Sequence, residues 1–431
     1  MRLRPLVLTF SLALVASPVA WAQMQLTSSA STDLALESMS AGAGRYLTTR
    51  GLASGLKLGE DAILHAGVLA DVGYDSNVFF SNSSNSEGAA VLHITPKLEI
   101  TNAERDGSIP SGTYYDLNAA LDWREYLTNN SDIQHQNALN PSVGGIADFS
   151  SGQTLSLSLT EAFTRYQQAP YTNIGTTDVL VRDDNMASAS LKFAPGGGRL
   201  RVMLRYSNLI DKYEGAAYTS GSNMGNELVL DIGWRWLPKT SIYVQAAQGV
   251  ITYFDSSSTG IGSYPLRTLL GIRGLLTEKL AVNIAAGYNN AFYTSGGNPT
   301  GFGNVGIVTE LKYNISILSQ AGIGYHHDFA NSPFVGQYYD MDAVYGAYRQ
   351  MIAGRVVTYA YGRYENRRFG GGTRTDNYII GGVSIDYMIG NFILAGVGYT
   401  LNLNRSSNTD PATGGTDYAK HVLLFRLGVV Y

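Results

Sequence analysis

The chain of 431 residues contains no cysteine and few charged side chains, which make up 15% of the sequence. Without cysteine it cannot form a disulfide framework, a cysteine-ligated zinc or iron–sulfur site, or a thiol nucleophile. After residue 22 it also lacks any run of about 18 apolar residues, so the sequence predicts no membrane-spanning helix. The formal net charge of −4 argues against a nucleic-acid-binding protein. We expect no nucleic acid partner, no cofactor and no metal.

Glycine and tyrosine are abundant instead, with 49 and 29 residues respectively. Helical proteins of this size favour leucine, alanine, glutamate and lysine, so this composition argues against a helical architecture. Apolar residues make up 45% of the chain, which is too many for a disordered protein.

Residues 1–22 have the pattern of a secretory signal peptide. Arg2 and Arg4 supply positive charge, residues 6–15 are apolar, and Ala20 and Ala22 form a small-x-small cleavage site. The apolar stretch is too short to span a membrane, so a cleaved signal is favoured over an N-terminal anchor. Residues 23–62 are rich in small polar residues and are expected to form a flexible periplasmic segment, which either plugs a lumen or binds a partner.

From residue 63 to residue 431, apolar residues alternate with small or polar ones, which is the period of β-strands. In residues 226–236 one face carries apolar side chains suited to lipid, namely Leu228, Leu230, Ile232, Trp234 and Trp236. The opposite face carries Glu227, Asp231 and Arg235, which suit water. Because a soluble sandwich would alternate in the same way, the connections between strands have to decide between the two folds.

Turn signals divide this region into 18 strands, with 16 as the alternative count. They are predicted near 63–74, 91–102, 113–126, 136–147, 153–166, 183–194, 199–212, 225–236, 240–254, 264–275, 279–292, 304–314, 317–329, 337–348, 354–365, 375–388, 391–403 and 417–431. Short and long connections alternate, as the tight periplasmic turns and longer extracellular loops of outer-membrane proteins do. The sequence therefore predicts an all-β fold, a transmembrane antiparallel up-and-down β-barrel in the outer membrane.

The last strand supports this location. Its alternating apolar row ends on an aromatic residue, and the predicted assembly signal consists of Phe425, Leu427, Val429 and Tyr431. This row resembles the terminal signal by which the barrel-assembly machinery recognises outer-membrane proteins. Outer-membrane lipid and that machinery are therefore expected partners.

A short motif points to a family. The sequence Gly-Tyr-Asp-Ser-Asn-Val-Phe at 73–79, followed by a polar loop and by Leu-His-Ile-Thr-Pro-Lys-Leu at 92–98, resembles the β-barrel porin family of the bacterial outer membrane that is often encoded beside exopolysaccharide machinery. The resemblance would cover about residues 60 to 431. It implies a channel that works with a periplasmic polysaccharide-export protein and carries a polysaccharide, and it implies no catalytic residues.

A barrel of 16 to 18 strands is wide enough for an aqueous lumen, so the candidate functional residues are those on the water-facing side of the strands. A predicted basic stripe comprises Arg199, Arg201, Arg205, Arg235, Arg267 and Arg273. The predicted acidic counterpart comprises Asp328, Asp340 and Asp342. Such stripes would create a transverse field that orients charged solutes, although pairing within the wall explains lumen charges equally well. Candidate sugar-stacking residues are Tyr348, Tyr359 and Tyr361.

Three classes of function fit this barrel. The leading hypothesis is an export channel for a secreted or capsular polysaccharide, and the alternatives are a general or solute-specific diffusion porin and a structural or adhesive barrel. Catalysis is not expected, because His326, His327 and Asp328 are the only local cluster suggesting general-base chemistry and no nucleophile elbow or metal-ligand spacing occurs.

Overall fold

The computed structural model describes residues 55–59, 61–82, 84–102, 112–151, 153–168, 178–215, 218–255, 262–293, 303–331, 338–370, 374–390, 392–408 and 417–431. The predicted signal peptide and residues 23–54 of the predicted periplasmic segment lie outside these residues, so both stay predictions.

Nineteen strands form within the described part of the chain. They are β1 (Leu56–Leu58), β2 (Ala62–Asp75), β3 (Ala89–Thr101), β4 (Gly112–Leu127), β5 (Ala138–Ser151), β6 (Leu155–Gln168), β7 (Leu180–Phe193), β8 (Leu200–Glu214), β9 (Asn223–Leu237), β10 (Thr240–Tyr253), β11 (Leu266–Leu275), β12 (Leu280–Asn290), β13 (Gly303–Ser316), β14 (Ser319–Asn331), β15 (Tyr338–Ile352), β16 (Val356–Phe369), β17 (Thr375–Ile389), β18 (Ile393–Ser406) and β19 (Tyr418–Val430).

Strands β2 to β19 form one closed antiparallel barrel. Each pairs with the next along the chain, and β19 returns to pair with β2, where Val422 lies opposite Asp75 and Val430 opposite Gly67. Closure leaves no wall strand with an unpaired edge, which a spanning β-structure requires in hydrocarbon. The predicted fold is therefore confirmed, and the strand count is 18 rather than 16.

The short strand β1 adds a hairpin to the barrel wall. It is antiparallel to the start of β2, with Leu56 opposite Leu64. Since β19 pairs with β2 only from Gly67 onward, β1 covers the part of the β2 edge beyond the end of β19. Leu56–Leu58 thus form a strand inside the segment 23–62 that was predicted to be flexible.

The connections alternate in length as predicted. Those at one end are short, such as 238–239, 317–318 and 353–355, and those at the other are longer, such as 76–88 and 254–265. The short end is periplasmic by the usual topology of these barrels. Among the described residues, helical structure is limited to short pieces, including α1 (Ser131–Gln134) in an extracellular loop. No helix in the described ranges is long and apolar enough to cross a membrane.

The outer face of the wall is apolar between two rows of aromatic residues. Exposed aromatics toward the extracellular end include Tyr74, Tyr206, Tyr288 and Tyr364, and those toward the periplasmic end include Trp234, Trp236, Tyr313, Tyr387 and Tyr431. Aromatic girdles of this kind mark the two interfaces of a lipid bilayer. A closed antiparallel barrel with an apolar outer band belongs in the bacterial outer membrane, which is the predicted location.

Candidate functional site in the barrel lumen

The lumen wall consists of the side chains that alternate with the exposed apolar row. On β9, Leu228, Leu230 and Ile232 face outward and are exposed, whereas Glu227 and Asp231 face inward and are buried. Residues directly opposite one another on paired strands share a face, so the pairing register assigns every wall residue to the lumen or to lipid.

Five members of the predicted basic stripe lie on the inward face. They are Arg201 and Arg205 on β8, Arg235 on β9, and Arg267 and Arg273 on β11. Most have acidic partners in the wall. Asp231 is fully buried and lies 2.8 Å from Arg273 and 3.5 Å from Arg201, whereas Glu227 lies 3.8 Å from Arg205. These five arginines share the inward face, and carboxylates on neighbouring strands neutralise much of their charge.

Arg199 does not belong to the lumen stripe. It precedes β8 rather than lying within it, and its guanidinium lies over the ring of Trp234, 5.9 Å from the ring centroid. Trp234 faces lipid at the periplasmic end. The predicted lumen position of Arg199 is therefore wrong, because a residue at a strand terminus need not keep the alternation of the strand.

The predicted acidic stripe is divided between the two faces of the wall. Asp328 faces inward and accepts from the Arg267 Nε atom at 3.0 Å. Asp340 and Asp342 share the face of Val344, which is exposed to the outside. Asp342 pairs there with His327 and Arg368, each at 2.7 Å. The predicted lumen position of Asp340 and Asp342 is therefore wrong. These carboxylates lie at the extracellular end of β15, where polar residues occur on the outward face.

The histidine cluster is divided in the same way. His326 faces inward and lies 3.6 Å from Asp328, whereas His327 faces outward with Asp342. Because adjacent residues of a strand point to opposite faces, the two imidazoles do not form one site.

The acidic side of the lumen lies on β2 to β5 instead. The inward carboxylates there are Asp71, Asp75, Glu99, Asp116, Asp122 and Asp148, and the inward cations on the same strands are Lys97 and Arg124. Several of these acids have partners, as Asp71 does with Arg426 at 2.7 Å. A charge difference across the lumen therefore runs between β2–β5 and the strands from β7 onward, and not between the two predicted stripes.

Two of the three candidate sugar-stacking tyrosines face the lumen. Tyr359 and Tyr361 are successive inward residues of β16, with ring centroids 5.9 Å apart at an interplanar angle of 31°. Tyr348 lies opposite Ala360, on the outward face that also carries Val344, and its hydroxyl donates to Gln350. The predicted lumen position of Tyr348 is wrong, since both alternating rows of β15 contain tyrosine and the sequence does not distinguish them.

A row of cations, the cation file, lies beside these tyrosines. It consists of Lys312 on β13, Arg349 on β15, and Arg363 and Arg367 on β16. Only Gly322 and Ala347 lie between Lys312 and Tyr361 across the sheet, so no long side chain separates them. Within the described chain, no acidic side chain lies within ion-pair distance of Lys312.

The acidic side chains near the cation file are buried and hydrogen-bonded. Glu365 lies between Arg363 and Arg367, accepts from the Arg367 Nε atom at 2.6 Å, and is buried. Glu310 accepts from the Tyr345 hydroxyl at 2.7 Å and is fully buried. The arginine side chains keep 15–19% of their surface exposed, so a solute in the lumen meets cations first.

Arg349 and Arg367 were missed by the sequence analysis. Arg367 falls beyond the predicted end of its strand at residue 365, and Arg349 falls one residue beyond the predicted strand 337–348. Extending the alternation of Tyr359, Tyr361 and Arg363 by two positions would have found Arg367.

The predicted assembly signal faces lipid. Phe425, Leu427, Val429 and Tyr431 are all more than half exposed on the outside of the barrel. Their recognition by the assembly machinery stays a prediction.

Solved structures that this chain resembles include the outer membrane protein OpdK of Pseudomonas aeruginosa. Pseudomonas aeruginosa OpdK with vanillate is 10% identical, with a TM-score of 0.44 over 85% of this chain and 99% of that one. Acinetobacter baumannii OccAB3 is 10% identical, with a TM-score of 0.45 over 86% and 99%. The P. aeruginosa siderophore receptor PirA is 7% identical, with a TM-score of 0.42 over 85% and 80%. Likenesses this distant say nothing about the solute that this chain handles.

Comparison with protein-family models and with curated proteins finds no match.

Proposed function

We propose that this protein is a diffusion channel of the outer membrane that favours small anionic solutes. The observation that carries the proposal is the cation file along the inward face of β13 to β16. Its arginines and lysine lie at successive heights, from Arg367 near the extracellular end to Arg349 near the periplasmic end. A carboxylate or phosphate group can therefore pass from one cation to the next.

Tyr359 and Tyr361 add a hydroxyl group and flat rings to the surface beside the cation file. Tyr359 lies directly opposite Arg349, and its hydroxyl oxygen is buried without a hydrogen-bond partner in the described chain. Buried polar atoms are normally satisfied, so this hydroxyl would gain a hydrogen bond if its ring turned toward a solute oxygen held by the neighbouring cations. Flat rings beside a cation also suit aromatic or other planar anions.

The test is electrical recording of the purified protein in planar bilayers. Under a salt gradient, we expect a reversal potential that shows anion preference, and a tricarboxylate such as citrate should reduce the current. Replacing Lys312→Gln and Arg349→Gln together should lower the anion-to-cation permeability ratio about threefold, equivalent to roughly 0.6 kcal/mol. Loss of two charges from the wall also weakens the field that concentrates anions.

A matched control removes two charges elsewhere in the lumen. Lys192→Gln with Arg235→Gln alters inward, exposed side chains near the periplasmic ends of β7 and β9. This variant should retain the citrate block. The proposal is wrong if the wild-type channel prefers cations, or if the two double variants lose the block equally.

Polysaccharide export with a periplasmic partner is the second candidate, and the pair Tyr359 and Tyr361 favours it. Two rings form only a short track for a polymer. Tyr348 does not extend it, because Tyr348 lies on the outward face. Surface polysaccharide in a deletion strain separates the two functions. An unchanged amount is expected, whereas its loss, restored by the complementing gene, would establish export instead.

A further inference from the structure

The first extracellular loop, loop 1 (76–88), turns into the barrel. Val78, Phe79 and Phe80 are each no more than 3% exposed. They belong to one buried cluster with Val91, Tyr126, Tyr418 and Ile133 of α1. Val91, Tyr126 and Tyr418 are inward residues of β3, β4 and β19. The cluster therefore lies inside the extracellular mouth and not on the outer surface.

Asn77 closes the turn that begins this segment. Its side-chain amide donates to the carbonyl oxygens of Ser81 at 2.6 Å and Ala419 at 3.0 Å, and its carbonyl accepts from the Ser81 amide at 2.8 Å. Its backbone amide donates to Asp75 at 3.0 Å. Because Asn77 is fully buried, each of these bonds replaces one to water, and residues 77–81 are tied to both β2 and β19.

A buried ion pair between β2 and β19 contacts the same segment. The Lys420 ammonium lies 2.7 Å from the Asp75 carboxylate, which also accepts from the Tyr126 hydroxyl at 3.0 Å. The ammonium lies 4.3 Å from the centroid of the Phe80 ring, and this ring meets Tyr418 edge-on at 5.2 Å. Three wall strands therefore fix one short piece of loop.

The backbone conformation of Phe80 indicates that the surrounding contacts hold this segment in place. Phe80 has a φ of 52°, in the left-handed region that bulky residues avoid. Such a conformation persists where the surrounding contacts outweigh its cost, and it occurs preferentially at functional positions.

We infer that residues 77–81 form a fixed constriction at the extracellular mouth and set the size limit of the solutes that enter. The inference rests on the proposed channel function but not on its anion preference. The cation file then determines the preferred charge, and the constriction determines the largest solute.

The first test removes the two buried rings that pack the segment against the wall of the mouth. Phe79→Ala with Phe80→Ala should increase single-channel conductance and admit larger neutral polyethylene glycols or sugars, while the reversal potential stays unchanged. The matched control, Phe254→Ala with Phe292→Ala, alters exposed rings on other extracellular loops and should change neither value. Unchanged conductance and size limit in the folded Phe79/Phe80 variant would overturn the inference.

A second test holds the segment in place with a covalent bond to the wall. Since the chain has no cysteine, Phe80→Cys with Tyr418→Cys introduces a single thiol pair between residues that touch. Equal conductance of the oxidised and reduced channels is expected for a fixed constriction. A rise on reduction would contradict it, because the segment would then leave the mouth. A wild-type channel without anion preference would refute the proposed function and leave these two tests valid.

Discussion

The walls from β8 to β11 and from β13 to β16 both carry inward arginines, but these arginines have different surroundings. On the first wall Arg273 is buried against Asp231, and Arg267 is buried against Asp328. On the second, Arg363 and Arg367 share one buried glutamate, and Lys312 has no acidic partner in the described chain. An inward arginine is therefore not by itself a solute site. Its neighbours decide whether its charge stiffens the wall or reaches the lumen.

The largest expected effect comes from breaking the paired wall. Asp231→Asn leaves Arg273 buried without its counter-ion, and loss of one member of such a pair should cost about 3 kcal/mol in the free energy of unfolding. Urea unfolding of the barrel in lipid vesicles measures this value. Asp148→Asn, on an inward carboxylate that has no cation in ion-pair range within the described residues, should change it by less than about 0.5 kcal/mol. Equal effects would show that the pairing of Asp231 contributes little.

An intermediate effect is expected where a glycine positions the tyrosines of the second wall. A Cβ at Gly382 would collide with the ring of Tyr361, whereas one at Gly362 would meet no atom within 4 Å. Gly382→Ala should therefore destabilise the barrel by about 2 kcal/mol through overpacking and weaken the citrate block. Gly362→Ala should leave both values unchanged. The midpoint of heat-induced unfolding on gels and the block in bilayers test this pair, and equal behaviour of the two variants would contradict it.

The smallest effect is expected outside both walls. Arg199→Ala removes a cation over the lipid-facing ring of Trp234 and should cost about 0.5 kcal/mol of stability. Conductance and reversal potential should stay at their wild-type values, because the guanidinium is not in the lumen. A change in selectivity would show that the Arg199 guanidinium lies in the lumen, as the sequence analysis predicted.

Much of the fold could be predicted from the sequence because its signal is local. The strand predicted at 225–236 is observed as Asn223–Leu237, and the one predicted at 240–254 as Thr240–Tyr253. The short strand β1 was missed because three residues are too few to show a period.

The candidate site was predicted less well, and three of the four errors have one cause. Asp340, Asp342 and Tyr348 belong to one alternating row of β15, and the sequence analysis assigned that row to the wrong face. Both rows of this strand mix tyrosine with small or polar residues, so neither is clearly the lipid face. Pairing with β16 decides the matter, since Val344 lies opposite the outward Tyr364.

The sequence by itself determined that alternating strands would cross the membrane and which face of most of them meets lipid. Those features depend on a period of two along the chain and on the closure that hydrocarbon imposes. Only the tertiary structure decided which lumen charges are neutralised, where the cation file lies, and that residues 77–81 enter the mouth. Contacts such as Arg267 with Asp328, or Asn77 with Ala419, join residues far apart in the chain, so register and wall curvature determine them.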